Sequence, residues 1–417
     1  MLDLYIKNLT FLFKWILITS VIGVLAGSGS ALFLFSLEWC TNYRLNNPYV
    51  LYFLPLSGLL IGLWYHFLGT NVAAGNNLII DEYHKPKEII SIKMAPMVLI
   101  TTLMTHIVGG SAGREGTAIQ MSASLSDQLS RMFKIDSFDR KLILLAAISG
   151  GFASVFGTPL AGALFALEVA LIGKISYKGI MVSFFAAYFS NFVCDAWGIH
   201  HTQYLVSEVP YFDLKYFPWV ILAGIIFGIT ALSFSKATYI FANTFKKYIN
   251  YPPFRPLVGG FVLLFFFLLF DLDKFQGLGV PFIEASFKNI ETPQVFVLKL
   301  LFTAFTLSAG FKGGEVTPLF FIGATLGSAL AVFMPLPVSL LAGMGFVAVF
   351  SGATNTPLAC TFMAIELFGA AGGLYYGIAC VVGYIFSGHS SIYSSQLIGE
   401  AKHPFFDFLK YKSLKNL

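Results

Sequence analysis

The chain has 417 residues, 57% of them hydrophobic and 11% charged, with a formal net charge of +5 and a mean hydropathy of +0.76. A soluble domain carries about 25% charged residues, so this composition cannot cover a water-exposed surface and excludes a soluble protein of this length. The positive charge is modest and scattered, which gives no nucleic-acid patch; what remains is an integral membrane protein with many spans.

In chain order, "MLDLYIKNLTFLFKW" carries no cleavage-site pattern and is expected to lie in the cytoplasm rather than act as a signal peptide. Apolar runs follow at 15–37, 51–68, 94–108, 142–172, 179–194, 217–234, 256–270, 295–309, 319–350 and 356–386. Several reach the roughly 20 residues needed to cross a bilayer. Others are shorter, or are interrupted by some of the 39 glycines and 17 prolines. Broken apolar helices survive only where protein or a water-filled cavity surrounds their exposed backbone. That pattern predicts an all-α transporter or channel rather than an anchor. The four cysteines, Cys40, Cys194, Cys360 and Cys380, lack metal or redox spacing and read as small packing residues. Adjacent His200 and His201 are expected in a loop, and neither a metal nor a cofactor is expected.

The chain matches itself. Gly23 and Gly27 match Gly224 and Gly228, "PLSGLLIGL" (55–63) matches "PLVGGFVLL" (256–264), and "GNNLI" (75–79) matches "GLGVP" (277–281). "GREGT" (113–117) matches "GGEVT" (313–317), and "TPLAGALFALE" (158–168) matches "TPLACTFMAIE" (356–366). The order is preserved, and the offset drifts only from 202 (75 to 277) to 198 (158 to 356). Two repeats are predicted, over about 15–205 and 216–400, within a single transmembrane domain that ends in a short cytoplasmic tail with no regulatory domain. Loop charge gives their relation. "RMFKIDSFDRK" (131–141) holds four basic residues and its counterpart "AVFMPLPVSLL" (331–341) holds none. "FKKYINYPPFR" (245–255) holds three, against one in "RLNNPYVLYFL" (44–54). By the positive-inside rule, equivalent loops lie on opposite faces. The halves are therefore inverted copies, with both termini cytoplasmic.

Within this frame three segments stand out. "AAGNNLII" (73–80) predicts a helix start with Asn76 or Asn77 as cap. "GREGT" and "GGEVTP" are Gly-rich turns opening into apolar helices, with Pro318 in the first turn. Helix starts present free N–H groups and a positive dipole end, so several meeting near the bilayer midplane would bind an anion without a fixed cation. Arg114 and Glu115 stand side by side between glycines, and charge at membrane depth needs a reason. Arg114 is expected to snorkel or to pair with a carbonyl. Glu168 and Glu366 follow "PLA" at equal spacing and are expected to share a structural role, capping backbone N–H groups. "GGSAG" (109–113) fits the G-x-S-x-G elbow of hydrolases, but that elbow needs a strand before it. The preceding run is helix-length and apolar, so no enzyme is expected. His106, on that run, reads as a packed histidine.

Taken together, "GNNLI", "GREGT", "GGEVTP" and Tyr393 in "SSIYSSQ" resemble the anion-binding segments of the CLC chloride channels and transporters, in the same order and across nearly the whole chain. The resemblance implies a CLC-type fold of two inverted-topology repeats with tilted and re-entrant helices. It further implies a homodimer in the lipid bilayer, with an anion pathway in each subunit. Carried over residue by residue, the gating glutamate falls on Glu115 and the central tyrosine on Tyr393. The anion site falls on Asn76, Gly113, Arg114, Gly116, Thr117, Val316 and Thr317, with Glu315 beside the proton and anion pathway.

The departures carry information. Chloride members usually read G-S-G-I-P where this chain has Gly75–Ile79, and G-R/K-E-G-P where Thr117 stands. Glu315 and Val316 replace a hydrophobic residue and Phe. Asn at the serine position resembles the bacterial branch that exports fluoride in exchange for protons. Exchangers of chloride carry a second glutamate after "PLAG…E"; here that position is Val169, as in the fluoride branch. Fluoride is small and strongly hydrated, so dehydrating it demands dense donors. An Asn amide offers two N–H groups where a serine hydroxyl offers one O–H. The expectation is a fluoride–proton antiporter of a bacterial cell membrane. A chloride–proton antiporter is the alternative, and a passive anion channel, favoured by Val169, the third reading.

Overall fold

The structure, a computed structural model, describes residues 2–270 and 272–416. The first half comprises α1 (Leu2–Asn46), α2 (Leu54–Leu68), α3 (Asn76–His84), α4 (Met94–Ile107), α5 (Glu115–Ser126), the short α6 (Gln128–Met132), α7 (Ser137–Phe156), α8 (Pro159–Glu168) and α9 (Ile180–Ala196). The second comprises α10 (Phe217–Tyr248), α11 (Phe254–Phe270), α12 (Val280–Ser286), α13 (Pro293–Ala309), α14 (Val316–Leu330), α15 (Val338–Thr354), α16 (Pro357–Phe368) and α17 (Gly373–Phe386).

Three apolar runs that read as continuous are each two helices. The run 142–172 breaks between α7 and α8 because Gly157 turns left-handed (φ 71°) and Pro159 opens the next helix. The same device recurs at the second half's equivalent point, where Asn355 (φ 61°) ends α15 and Pro357 opens α16. Run 319–350 breaks before Pro337, and 356–386 at Gly369 (φ 93°). Among the described residues, four helices are long and apolar enough to cross a membrane, and most others have 10–17 residues. At about 1.5 Å per residue such short helices fall short of the roughly 30 Å hydrocarbon core, so some of their ends must be satisfied by protein rather than by lipid.

The repeat is visible in the packing. α1 lies against α9 through Gly23 and Gly27, where an added methyl would stand 2.5 Å from Phe189 Cβ and 2.8 Å from Val193 Cβ. Equivalently, α10 lies against α17 through Gly224 and Gly228, at 2.8 Å from Val382 Cβ and 2.9 Å from Phe386 Cβ. Across the halves α2 and α11 meet face to face: a methyl on Gly62 would stand 2.8 Å from Pro253 Cα, and one on Gly260 2.6 Å from Pro55 Cα. Small residues let these backbones touch where lipid offers no hydrophobic drive between helices.

At the centre α5, α7, α14 and α15 are almost wholly buried. Phe320 of α14 and Phe346 of α15 stack with centroids 3.9 Å apart, and Phe152 of α7 stacks on Phe165 of α8 at 4.4 Å. Outer helices instead expose large apolar side chains such as Phe35, Phe192, Tyr239 and Phe265, as a lipid-facing surface requires. Near the C-terminus, Leu397–Ile398 pairs in parallel with Leu171–Ile172, and Lys415 Nζ reaches Asp81 at 2.6 Å. The segment after Tyr393 is thereby tied to the ends of α8 and α3.

Candidate functional site

Two Gly-rich turns are joined by an antiparallel bridge. Gly113 N donates to Gly314 O at 2.6 Å, and Gly314 N donates to Gly113 O at 2.8 Å. A methyl on Gly313 would stand 2.6 Å from Ala112 Cβ, and one on Gly314 2.9 Å from Gly116 N, so only glycine permits this approach. The bridge sets the N-termini of α5 and α14 against each other. It also corrects the repeat register by one residue. Gly113 faces Gly314, and the helices start at Glu115 and Val316. Glu115 is therefore equivalent to Val316, while Glu315 takes the place of Arg114 at the helix cap.

Glu115 is the first residue of α5, and its side chain is fully buried. Its carboxylate touches its own helix only at the Arg114 cap and reaches across to the start of α14. Oε2 accepts from Thr317 N at 3.0 Å and from Arg114 N at 3.1 Å. Oε1 accepts from the Thr317 hydroxyl. Arg114 Nε lies 3.6 Å from Oε1 with no hydrogen-bond partner of its own, so the expected carbonyl pairing of Arg114 is replaced by this looser charge contact. A buried anion thus occupies a helix N-terminus of the opposite repeat, held by N–H donors and the positive end of its dipole.

The remaining predicted residues divide around this carboxylate. Asn76 begins α3, but neither Asn caps it: the cap position is Gly75 (φ 58°), and no side chain fills that role. Asn77 Oδ1 instead accepts from Ser395 N at 2.9 Å, tying α3 to the segment that carries Tyr393. That leaves Asn76 free to turn inward. A Cβ on Gly116 would meet its Nδ2 at 2.9 Å and Glu315 Oε2 at 3.8 Å. Asn76 Oδ1 and Tyr393 Oη are buried with no hydrogen-bond partner. Unpaired buried polar atoms are costly, and two of them facing one space mark it as polar. Asn76, Glu315 and Tyr393 line one cavity of about 150 Å³. Val316 and Thr317 sit in the first turn of α14. Thr117 turns its hydroxyl away, to Thr102 Oγ1 at 2.8 Å.

On the other side of Glu115, a small void lined by Arg114, Tyr204 and Thr317 adjoins a vestibule of about 730 Å³, with which it shares Thr202 and Tyr204. The Glu115 carboxylate, bonded to Thr317 and beside Arg114, therefore stands between this void and the Asn76 cavity.

Glu168 and Glu366 cap helices, each in the other half. Glu366 accepts from Leu160 N at 2.9 Å and Ala161 N at 2.8 Å; Glu168 accepts from Leu358 N at 3.2 Å and Ala359 N at 2.8 Å. Val169 is buried, and its carbonyl accepts from Gln396 Nε2 at 2.7 Å. Ser111 follows helix α4 rather than a strand, and its hydroxyl is bonded to Thr303 Oγ1 at 2.9 Å. His106 is packed, with Nε2 3.2 Å from Gly113 O, and His200 and His201 lie in a loop. Sequence reasoning missed Gln120 and Lys312, which line the Asn76 cavity. It also missed Arg140, which joins Glu82 at the end of α3 to Asp127 at 2.9 and 2.8 Å.

Inverted halves whose helix starts converge on one buried carboxylate, with cavities on both sides, define a membrane ion-transport protein. The chain belongs to the voltage gated chloride channel family, whose pattern matches residues 57–388. It is 48% identical over 401 residues to a chloride/fluoride channel protein of Pseudomonas syringae pv. tomato, covering 95% of this chain and 89% of that one. The crystal structure of a CLC-type fluoride/proton antiporter superposes with a TM-score of 0.89 at 32% identity, over 92% of this chain and 98% of that one. An H(+)/Cl(-) exchange transporter ClcA of Vibrio campbellii is 25% identical over 324 residues, 73% of this chain and 66% of that one.

Proposed function

We propose that this protein is an antiporter that exports fluoride in exchange for protons, with Glu115 as proton carrier and gate. One observation carries the reading: a fully buried carboxylate fills the helix-start site that an anion would occupy, using the donors an anion would use. Ionised, Glu115 holds that site and closes the path. Protonated, it loses its attraction to the dipole and to Thr317 N, and fluoride takes its place. The anion leaves as the carboxylate returns, which couples one movement to the other.

Asn76 supplies amide donors and Tyr393 a hydroxyl to the dehydrated ion, and both line the cavity beside the gate. Gly113, Gly116, Val316 and Thr317 contribute backbone at the two helix starts. The 32%-identical antiporter structure supports the fluoride reading, and the relative named for chloride and fluoride supports both ions. The protein would act in a bacterial plasma membrane with both termini cytoplasmic, as a homodimer with one pathway per subunit.

Efflux from proteoliposomes, followed with a fluoride electrode, tests the proposal. An antiporter drives fluoride uphill on an imposed pH gradient, and excess chloride leaves the rate little changed. Dissipative flux alone would make the protein a channel, and uphill movement of chloride in place of fluoride a chloride exchanger.

A further inference from the structure

The two ends of the pathway differ in charge. Beyond the Asn76 cavity lies a second cavity of about 370 Å³ between α2, α10, α11 and the end of α13. The two share Ala73 and Lys312. Among the described residues the outer one is lined by His66, Lys246, Arg255 and Lys312, and by no Asp or Glu. The vestibule of about 730 Å³ on the other side of Glu115 has the opposite character. Among the described residues Asp195, Glu366, His200 and His201 line it, and Arg114 lies in the small void at its inner end, where it faces Glu115.

Lys312 is the hinge of this asymmetry. It stands in the short link between α13 and α14, three residues before Glu315, where the two cavities meet. Its Nζ lies over the Tyr65 ring, 4.0 Å from the centroid, which fixes the ammonium by a cation–π contact. Among the described residues no carboxylate comes within 4.0 Å of Nζ, so its charge is not cancelled at contact. A cation of this kind in a narrow, low-dielectric cleft concentrates anions around it.

We propose that the cavity lined by Lys246, Arg255 and Lys312 is an anion-loading site, and that Lys312 at its neck captures the hydrated anion before it is stripped at Asn76. The inference rests on the antiport reading only for the identity of the anion. Position explains how a full cation is compatible with turnover. Lys312 stands outside the gate, so it raises local anion concentration without holding the ion at the helix starts. The acidic and histidine-lined vestibule, by the same logic, disfavours anion return and gathers protons.

Steady-state fluoride transport by the full-length protein in liposomes tests this, measured against fluoride concentration on the loading side. Lys312→Met should raise KM about tenfold, the lower end of what electrostatic focusing supplies, while kcat changes much less. Lys312→Arg should keep the wild-type KM. A second variant guards against misfolding. Lys312→Cys, treated with a cationic methanethiosulfonate, should recover a low KM, and an anionic reagent should raise it further. Equal KM values for wild type, Lys312→Met and both adducts would overturn the proposal. A lowered kcat at constant KM would also overturn it, because it would make Lys312 a packing residue. Wild type is assayed first with fluoride and with chloride. Failure of fluoride there refutes the antiport reading, whereas the charge test is then read with chloride.

Discussion

Asn76 and Glu315 line one cavity beside Glu115 and bring unlike chemistry to it, an amide and a carboxylate. Asn76 is relieved of capping, because Gly75 takes the left-handed cap position, and its amide turns toward Gly116. Replacing it with Ser removes an amide donor while leaving the helix start intact. Asn76→Ser should raise chloride transport relative to fluoride, as read from paired electrode measurements. An unchanged ratio with lower thermal stability would make Asn76 a structural residue. Glu315 occupies the cap position of α14, in the cavity of Asn76 and Lys312. A carboxylate there repels anions when ionised, so on the proposed cycle it is expected to move or take a proton. Glu315→Ala should slow fluoride turnover or loosen its coupling to protons; wild-type rate and stoichiometry would reduce it to a packing group. Much of this cluster was legible in the sequence, because charged residues between glycines in an apolar chain have few structural uses. The register between the motifs was not. "GREGT" and "GGEVT" align by their glutamates, yet the Gly113–Gly314 bridge shifts them by one. Lys312 was not legible either: a lysine beside a Gly-rich turn reads as a loop charge until the cavities on both sides of it are seen.

At the level of elements, helices too short to cross a bilayer need their ends satisfied by protein, since hydrocarbon offers no partner. Glu168 and Glu366 do this reciprocally, each closing the start of a helix in the other half. The equal spacing after "PLA" in both repeats made the shared capping role predictable. That the caps cross between halves was not predictable, because the sequence repeat carries no information on which copy each side chain faces. Removing Glu366 orphans the N–H groups of Leu160 and Ala161 at the start of α8. Glu366→Ala should destabilise the protein by roughly 1–3 kcal/mol, seen as a lower melting temperature in detergent. An unaltered melting temperature would show that water reaches this helix start. The apolar runs over 142–172 and 319–350 misled for a related reason. Hydropathy continues through Gly157-Thr158-Pro159 and through the Pro337 break, and only the turn chemistry marks the ends.

For the whole molecule, duplication and inversion place two helix starts, one from each half, against each other at one point. Glu115 from the first half lies on the helix start built by the second, and cavities of unlike lining lie on its two sides. On the proposed cycle, coupling rests on one residue, Glu115. Proton movement driven by a fluoride gradient across liposomes, compared between wild type and Glu115→Gln, tests this most directly. Gln keeps the size of the side chain but cannot titrate. The account predicts that wild type pumps protons uphill under the gradient. Glu115→Gln should fold and either block fluoride or pass it without protons. Proton pumping by Glu115→Gln under the same gradient would contradict the gate assignment and leave the buried carboxylate with a role in packing alone.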